Sequence, residues 1–105
     1  MTRRAQLHPE AVTEFLEAVR FYEQQQTGLG EKFEAEVAQA VDDVIWSPDA
    51  WPELTGHRRS TVVRSRRVSG FPYRIVYFVH DDNVVIVAVA HERRHPGYWN
   101  RRVDG

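Results

Sequence analysis

YRIVYFVHDDNVVIVAVAH, residues 73–91, reads as two strands joined by a tight turn. Val, Ile, Tyr and Phe dominate both arms, and β-branched and aromatic side chains suit a pleated, half-buried surface. Asp81, Asp82 and Asn83 interrupt them with residue types that accept turn conformations. Side chains alternate along a strand, so Tyr73, Ile75, Tyr77 and Val79 share one face while Arg74, Val76, Phe78 and His80 share the other. A two-residue loop at Asp82-Asn83 sets Arg74 opposite His91, with Cβ atoms roughly 5 Å apart. A loop at Asp81-Asp82 pairs Arg74 with Val89 instead. The first register is favoured, since Asn tolerates the left-handed backbone such turns need.

Working outward, residues 61–68 form a third strand, separated from the hairpin by Ser69-Gly70. Its adjacency to the next two implies an antiparallel meander. Within it Arg64 and Arg66 alternate onto one face and Arg67 onto the other. After the hairpin, His95-Pro96-Gly97-Tyr98-Trp99-Asn100-Arg101-Arg102 leaves room for no more than a turn or a short helix.

The first half of the chain is helical. From residue 10 to about 26, Val12, Phe15, Leu16, Val19 and Tyr22 recur on one face of a 3.6-residue period. His8-Pro9 is a helix entry, because Pro suits the first helical position, and Glu10 favours the positive end of the dipole. Thr27-Gly28-Leu29-Gly30 breaks the pattern, with Gly28 as a left-handed cap. A second helix runs from about 31 to 46, with Phe33, Val37, Ala40, Val41, Val44 and Ile45 on its apolar face, and Ser47-Pro48 stops it. Two helices of similar length with a short link fold back as an antiparallel hairpin. Residues 3–7 are a candidate first strand with Ala5 and Leu7 inward, and residues 49–60 a loop rich in Pro and Trp. The fold class expected is α+β: an N-terminal strand, a helical hairpin, then three antiparallel strands with the helices on one face.

With 105 residues the chain is one domain, 1–105. A composition 42% hydrophobic and 28% charged excludes disorder. The absence of Cys excludes disulfides, thiolate nucleophiles and cysteine-based zinc sites. No apolar run approaches the ~20 residues that span a bilayer, and MTRRAQLHPE has no signal-peptide core, so a cytoplasmic protein with no membrane partner is expected. The net charge of −1 hides an asymmetry. Residues 1–55 carry 4 basic and 11 acidic side chains, while residues 56–105 carry 10 Arg and 4 acids. Arg grips phosphate or carboxylate bidentately, so the second half suggests a surface facing a polyanion.

Three groups converge on one end of the expected sheet: the Arg64/Arg66 pair, Arg74, and the run His91-Glu92-Arg93-Arg94-His95, with Tyr98 close behind. Such a cluster can hold a phosphodiester, guanidinium groups offsetting charge on the equatorial oxygens while His or Tyr moves protons. The alternative for Arg74 is an ion pair with a helix glutamate; for His91 it is a hydrogen bond to a backbone carbonyl. His91-x-x-x-His95 has helical metal-ligand spacing, but it stands at a strand end before Pro96 with no second ligand pair nearby, so no metal is expected. Gly28 and Gly30 follow a helix rather than a strand, so they form no phosphate loop, and no cofactor is expected.

The order of elements and several local motifs resemble the RelE/ParE superfamily of toxins from type II toxin–antitoxin modules. The resemblance runs over nearly the whole chain. It is carried by Phe21-Tyr22-Glu23, by Leu29, Gly30 and Phe33 (L-G-x-x-F), by Ser47-Pro48, by F-P-Y-R-I-V-Y at 71–77 and by H-x-R-R-x-P-x-Y-W at 91–99. It implies a growth-inhibitory toxin neutralised by a small antitoxin encoded alongside, whose acidic or amphipathic tail wraps it. RelE-like members cleave mRNA in the ribosomal A site as endoribonucleases that need no metal; ParE-like members bind and poison DNA gyrase without a nuclease site. The ribonuclease is the function expected first, the gyrase inhibitor or a degenerate binding module second. Positions matching the RelE-like pattern are Arg64, Arg66, Arg74, Arg94 and Tyr98. The second-strand bases are Arg rather than Lys, and Tyr98 sits closer to Arg94 than that pattern has it. A base works best when its pKa lies near the operating pH, and an ordinary histidine, at roughly 6.5, lies nearer than tyrosine, so His91 is the expected base. Arg74 and Arg94 then stabilise charge, Tyr98 stacks or acts as acid, and Arg64, Arg66, Arg67, Arg93 and His95 bind substrate.

Overall fold

The computed structural model describes residues 3–54 and 61–104. Its elements are β1 (Ala5–Leu7), α1 (Pro9–Gln25), α2 (Leu29–Trp46), a 3-10 turn (Pro48–Ala50), β2 (Arg64–Arg67), β3 (Tyr73–His80), β4 (Asn83–His91) and α3 (Asn100–Asp104). The expected α+β order holds. The four strands form one sheet in the order β1-β4-β3-β2, with β1 parallel to β4 and the other two pairings antiparallel. Of the expected loop at 49–60, the first residues fall in the 3-10 turn and residues 55–60 lie outside the described residues. Strand β2 is shorter than the expected 61–68, and no helix among the described residues is long and apolar enough to cross a membrane.

Local chemistry explains the helical hairpin. His8 caps α1 by accepting from the Glu10 N–H through Nδ1 at 3.1 Å, and Pro9 takes the first helical position. Gly28 adopts φ +89° just before α2, a conformation only glycine enters without strain. The Glu23 carboxylate, near the end of α1, accepts from the N–H groups of Gly28 at 3.0 Å and Gly30 at 3.0 Å. One side chain thus satisfies orphan donors at the start of the next helix. Gly30 is there because the helices touch at that point: a Cβ would stand 2.8 Å from the Val19 carbonyl oxygen.

The helices cover one face of the sheet. Phe33, Val37, Ala40 and Val44 of α2, with Ala11 and Ala18 of α1, pack on Ile75, Tyr77, Val84, Ile86 and Val89. Burying each of the larger side chains contributes roughly 1.5–3 kcal/mol. The expected face of α1 is rotated. Phe15, Val19 and Tyr22 do pack inward, but Val12 and Leu16 are 38% and 53% exposed, and small Ala11 and Ala18 take the contact line. Leu7 is also exposed rather than inward. A smaller cluster on the opposite face joins Val63, Val76, Val87, Ala88, Ala90 and Trp99.

The β3–β4 hairpin begins in the second of the two expected registers, from His80 opposite Asn83 to Tyr77 opposite Ile86, and then leaves it. Its loop is Asp81-Asp82, closed by His80 opposite Asn83, and both Asp residues have positive φ (50° and 65°). This is the double left-handed geometry of the tightest hairpin turns, which Asp tolerates as Asn does. A bulge then intervenes. Val76 pairs with Ala88 but Tyr77 with Ile86, so Val87 is the extra residue, and Val87 and Ala88 both join the smaller cluster. Beyond the bulge Arg74 stands opposite Ala90 and Tyr73 opposite His91. The expected Arg74–His91 pairing is therefore corrected: the bulge sends the two side chains to opposite faces of the sheet.

Candidate functional site

On the sheet face away from the helical hairpin, the ends of β2, β3 and β4 and the turn at 95–99 enclose a cleft of about 510 Å³. Val76, Ala90, Pro96 and Trp99 give it an apolar floor. Arg67 and Arg74 lie directly opposite one another on β2 and β3. Two like charges so placed repel, and the side chains separate to different partners. Arg67 reaches Glu92 at 2.9 Å, while Arg74 donates to the Ser65 hydroxyl at 3.1 Å. No carboxylate among the described residues pairs with Arg74 or Arg94. Two guanidinium charges at this cleft are thus uncompensated.

The other wall is the segment after β4. Arg94 lies over the Tyr98 ring, its guanidinium carbon 3.9 Å from the centroid, a cation–π stack. The Tyr98 hydroxyl donates to Glu14 of α1 at 2.7 Å. The same carboxylate accepts the Val89 N–H at 3.0 Å and Arg102 Nη1 at 3.1 Å. Arg102 in turn donates to the Val87 carbonyl at 2.9 Å and pairs with Glu10 at 2.9 Å. The reason is topological. Strand β1 ends opposite Ile86, where the His8 N–H bonds the Ile86 carbonyl, so the edge of β4 beyond it has no neighbouring strand. Glu14 and Arg102 supply the acceptor and donor that a strand would have supplied.

Of the residues expected at the site, the cleft collects Arg67, Arg74, Arg94, His95 and Tyr98; His91 also borders it, but its ring lies on the other side of the sheet against Tyr73. It does not collect Arg64, Arg66 or Arg93. Arg64 and Arg66 sit opposite Tyr77 and Ile75, on the helix-bearing face. There Arg66 pairs with Asp43 of α2 at 2.5 Å and lies 5.1 Å over the Trp51 ring, and Arg64 donates to the Trp51 carbonyl at 2.8 Å. The expected convergence of that pair with Arg74 is corrected: alternation on β2 makes Arg67 the one that shares Arg74's side. Arg93 is exposed, and its N–H donates to His91 Nδ1 at 3.0 Å. The alternative of a helix glutamate bonded to Arg74 is also corrected, since its partner is Ser65.

These placements limit the proton chemistry. Burial first, and then the hydrogen bond to Glu14, push the Tyr98 hydroxyl well above the ordinary tyrosine range, so it is a held donor at neutral pH. The His91 ring stands edge-on to Tyr73, centroids 5.0 Å apart, with one nitrogen occupied by the Arg93 N–H. What the cleft offers is fixed positive charge above an apolar floor, fit to hold an anionic or amphipathic partner. No group of three or more metal-ligating side chains gathers among the described residues.

Sequence reading missed Glu14 and Arg102. Both act across 75 or more residues of chain, Glu14 on Val89 and Arg102 on Glu14. The available signal was the position of Glu14 between Ala11 and Ala18, on the inward face once the helix is correctly rotated. A carboxylate there requires a partner.

No curated protein matches the chain. The sequence profile of one family, described as the ParE toxin of the type II toxin–antitoxin system parDE, matches residues 5–96. That span takes in β1, the helical hairpin, the meander and the cleft's Arg67, Arg74, His91, Arg94 and His95. The chain belongs to the ParE toxin family of type II toxin–antitoxin systems.

Proposed function

We propose that this toxin arrests growth by binding its target rather than by cleaving RNA, and that its target is DNA gyrase in the cytoplasm. The observation that carries this reading is the Tyr98–Glu14 bond of 2.7 Å. It withdraws the phenol from proton transfer, while the bulge in β4 turns His91 away from Arg74. Cleavage through the ribose 2′-OH needs a base, an acid and cations focused on one phosphate. A binding inhibitor needs only a complementary surface, and uncompensated Arg74 and Arg94 above an apolar floor supply one. The cognate antitoxin neutralises the chain, as in other modules of this type.

A second reading, ribosome-dependent mRNA cleavage, draws its support from one observation. His95 lines the same cleft as Arg67, Arg74 and Arg94, and His91 borders it. One experiment separates the two. The chain is expressed without antitoxin in a bacterial host, replication and translation are followed together, and purified protein is added to a gyrase supercoiling assay. Loss of supercoiling, with replication stopping first, is the expected outcome. Transcripts cut within codons, with gyrase unaffected, would overturn the proposal in favour of the nuclease.

A further inference from the structure

Glu14 lies on α1, outside the cleft, yet it holds one of the cleft's walls. Its carboxylate is 13% exposed and makes three hydrogen bonds, to Val89 N, the Tyr98 hydroxyl and Arg102. Two of these close the β4 edge and explain why a charge is kept at that place in the fold. The third does nothing for the sheet. It pins the phenol end of Tyr98, and the face of that ring carries Arg94 at 3.9 Å. Arg94 itself has no carboxylate to hold it among the described residues. Its placement rests on the ring; the ring's faces pack on the smaller apolar cluster and on Arg102, 5.1 Å away, and its hydroxyl end is held by Glu14.

We infer that Glu14 is a positioning residue for the cleft, fixing the Arg94 guanidinium over it through the Tyr98 ring. The chain of contacts runs Glu14 carboxylate, Tyr98 hydroxyl, Tyr98 ring, Arg94 guanidinium, and each link is shorter than 4 Å. A flexible arginine on a loop loses side-chain entropy when it binds an anion; holding it beforehand reduces that cost. The inference rests on the proposed function only for its consequence in toxicity, because the contacts themselves are tested without any target.

The test uses the whole purified chain and NMR. Protons of the Arg94 side chain lie over an aromatic face and are shifted upfield by its ring current. Tyr98→Phe keeps the ring and leaves the Glu14 bonds to Val89 and Arg102 in place, so the fold is retained while the pin is removed. The Arg94 upfield shift is expected to fall substantially. Glu14→Met keeps roughly the side-chain length and removes the hydrogen-bonding carboxylate, and is expected to reduce the shift as far. Made in the Tyr98→Phe background, Glu14→Met is expected to change Arg94 no further, because two changes on one route do not add. An unchanged Arg94 shift in Tyr98→Phe overturns the inference even if Glu14→Met does not fold, and so does an additive loss in the double variant. Growth arrest is then scored for the folded variants. Equal losses for Tyr98→Phe and Arg94→Ala are expected. An undiminished arrest by Arg94→Ala removes Arg94 from the proposed function, while leaving the positioning route standing.

Discussion

Two arginines on the same short hairpin show how a single residue's surroundings decide its role. Arg66 and Arg74 are each expected at the site from sequence, yet the sheet separates them. Arg66 is bonded to Asp43 with only 13% of its side chain exposed, and that bond, with a second from Gln39, holds the Asp43 carboxyl below its usual range. Arg66→Ala is therefore expected to destabilise the fold by about 2 kcal/mol, the contribution of a hydrogen bond to a charged, half-buried partner. Because a depressed carboxylate stabilises above its unfolded pKa, the Asp43 contribution is lost as pH falls below about 4. Arg74→Ala removes only the bond to Ser65, costing about 1 kcal/mol or less. It is expected to abolish growth arrest with the melting transition nearly unmoved. Urea unfolding of both variants beside a growth assay checks the pair, and an unfolded Arg74→Ala protein would make that residue structural. The phenols act at the other end of the pH scale. Burial pushes Tyr77 up to about 12, and Tyr98 is raised further. An unfolded tyrosine ionises near 10, so the unfolded state releases protons first. Stability is full below pH 10 and falls as pH rises toward the folded values. Tyr98→Phe should lessen that alkaline loss, which unfolding midpoints at pH 9 and 11 will measure.

At the level of elements, the most legible parts were those set by local chemistry. Proline and glycine punctuation located both helices, and the turn residues located the hairpin. The rotation of α1 was not legible, because a small residue such as Ala11 packs inward by permitting close approach rather than by being strongly apolar. Nor was the bulge at Val87. Within an apolar run such as 84–90, every residue is acceptable on either face, so hydrophobic alternation fixes no register. That one extra residue moved His91 away from Arg74, and with it the expected catalytic pairing. The L-G-x-x-F motif, by contrast, has a direct physical reading. Gly30 permits contact with Val19 and Glu23, Glu23 caps α2, and Phe33 fills the core. Gly30→Ala puts a methyl group 2.8 Å from a backbone carbonyl that cannot swing aside. It is expected to cost about 1–3 kcal/mol by overpacking, despite alanine's better helix propensity. Thermal unfolding checks this. A gain in stability would mean that the helices part without cost.

For the whole molecule, the charge asymmetry between the two halves of the sequence finds part of its explanation in pairs that join the halves. The acidic half supplies Glu10, Glu14, Asp43 and Glu53, and the basic half answers with Arg101, Arg102, Arg66 and Arg64. Arg67 is offset by Glu92 within its own half. A sequence cannot reveal this, because opposite charges far apart in the chain look alike whether they meet each other or a partner. Among the described arginines of the basic half, Arg74, Arg93 and Arg94 have no carboxylate partner, and Arg58 and Arg59 lie outside the described residues. Non-specific binding to duplex DNA should therefore be weak in its salt dependence. Each phosphate neutralised contributes about −0.9 to the slope of log affinity against log salt, so the three to five available arginines of the basic half, acting as one surface, give about −3 to −5. Ten arginines acting together would give about −9. Fluorescence anisotropy with a labelled duplex between 50 and 200 mM salt, about the range over which such slopes are read, distinguishes these values. A slope near −9 would mean that the internal ion pairs open to meet nucleic acid. A shallow one is expected, with Arg74→Ala and Arg94→Ala each reducing it by about one, because an ion pair already closed within the fold has no counterion left to release.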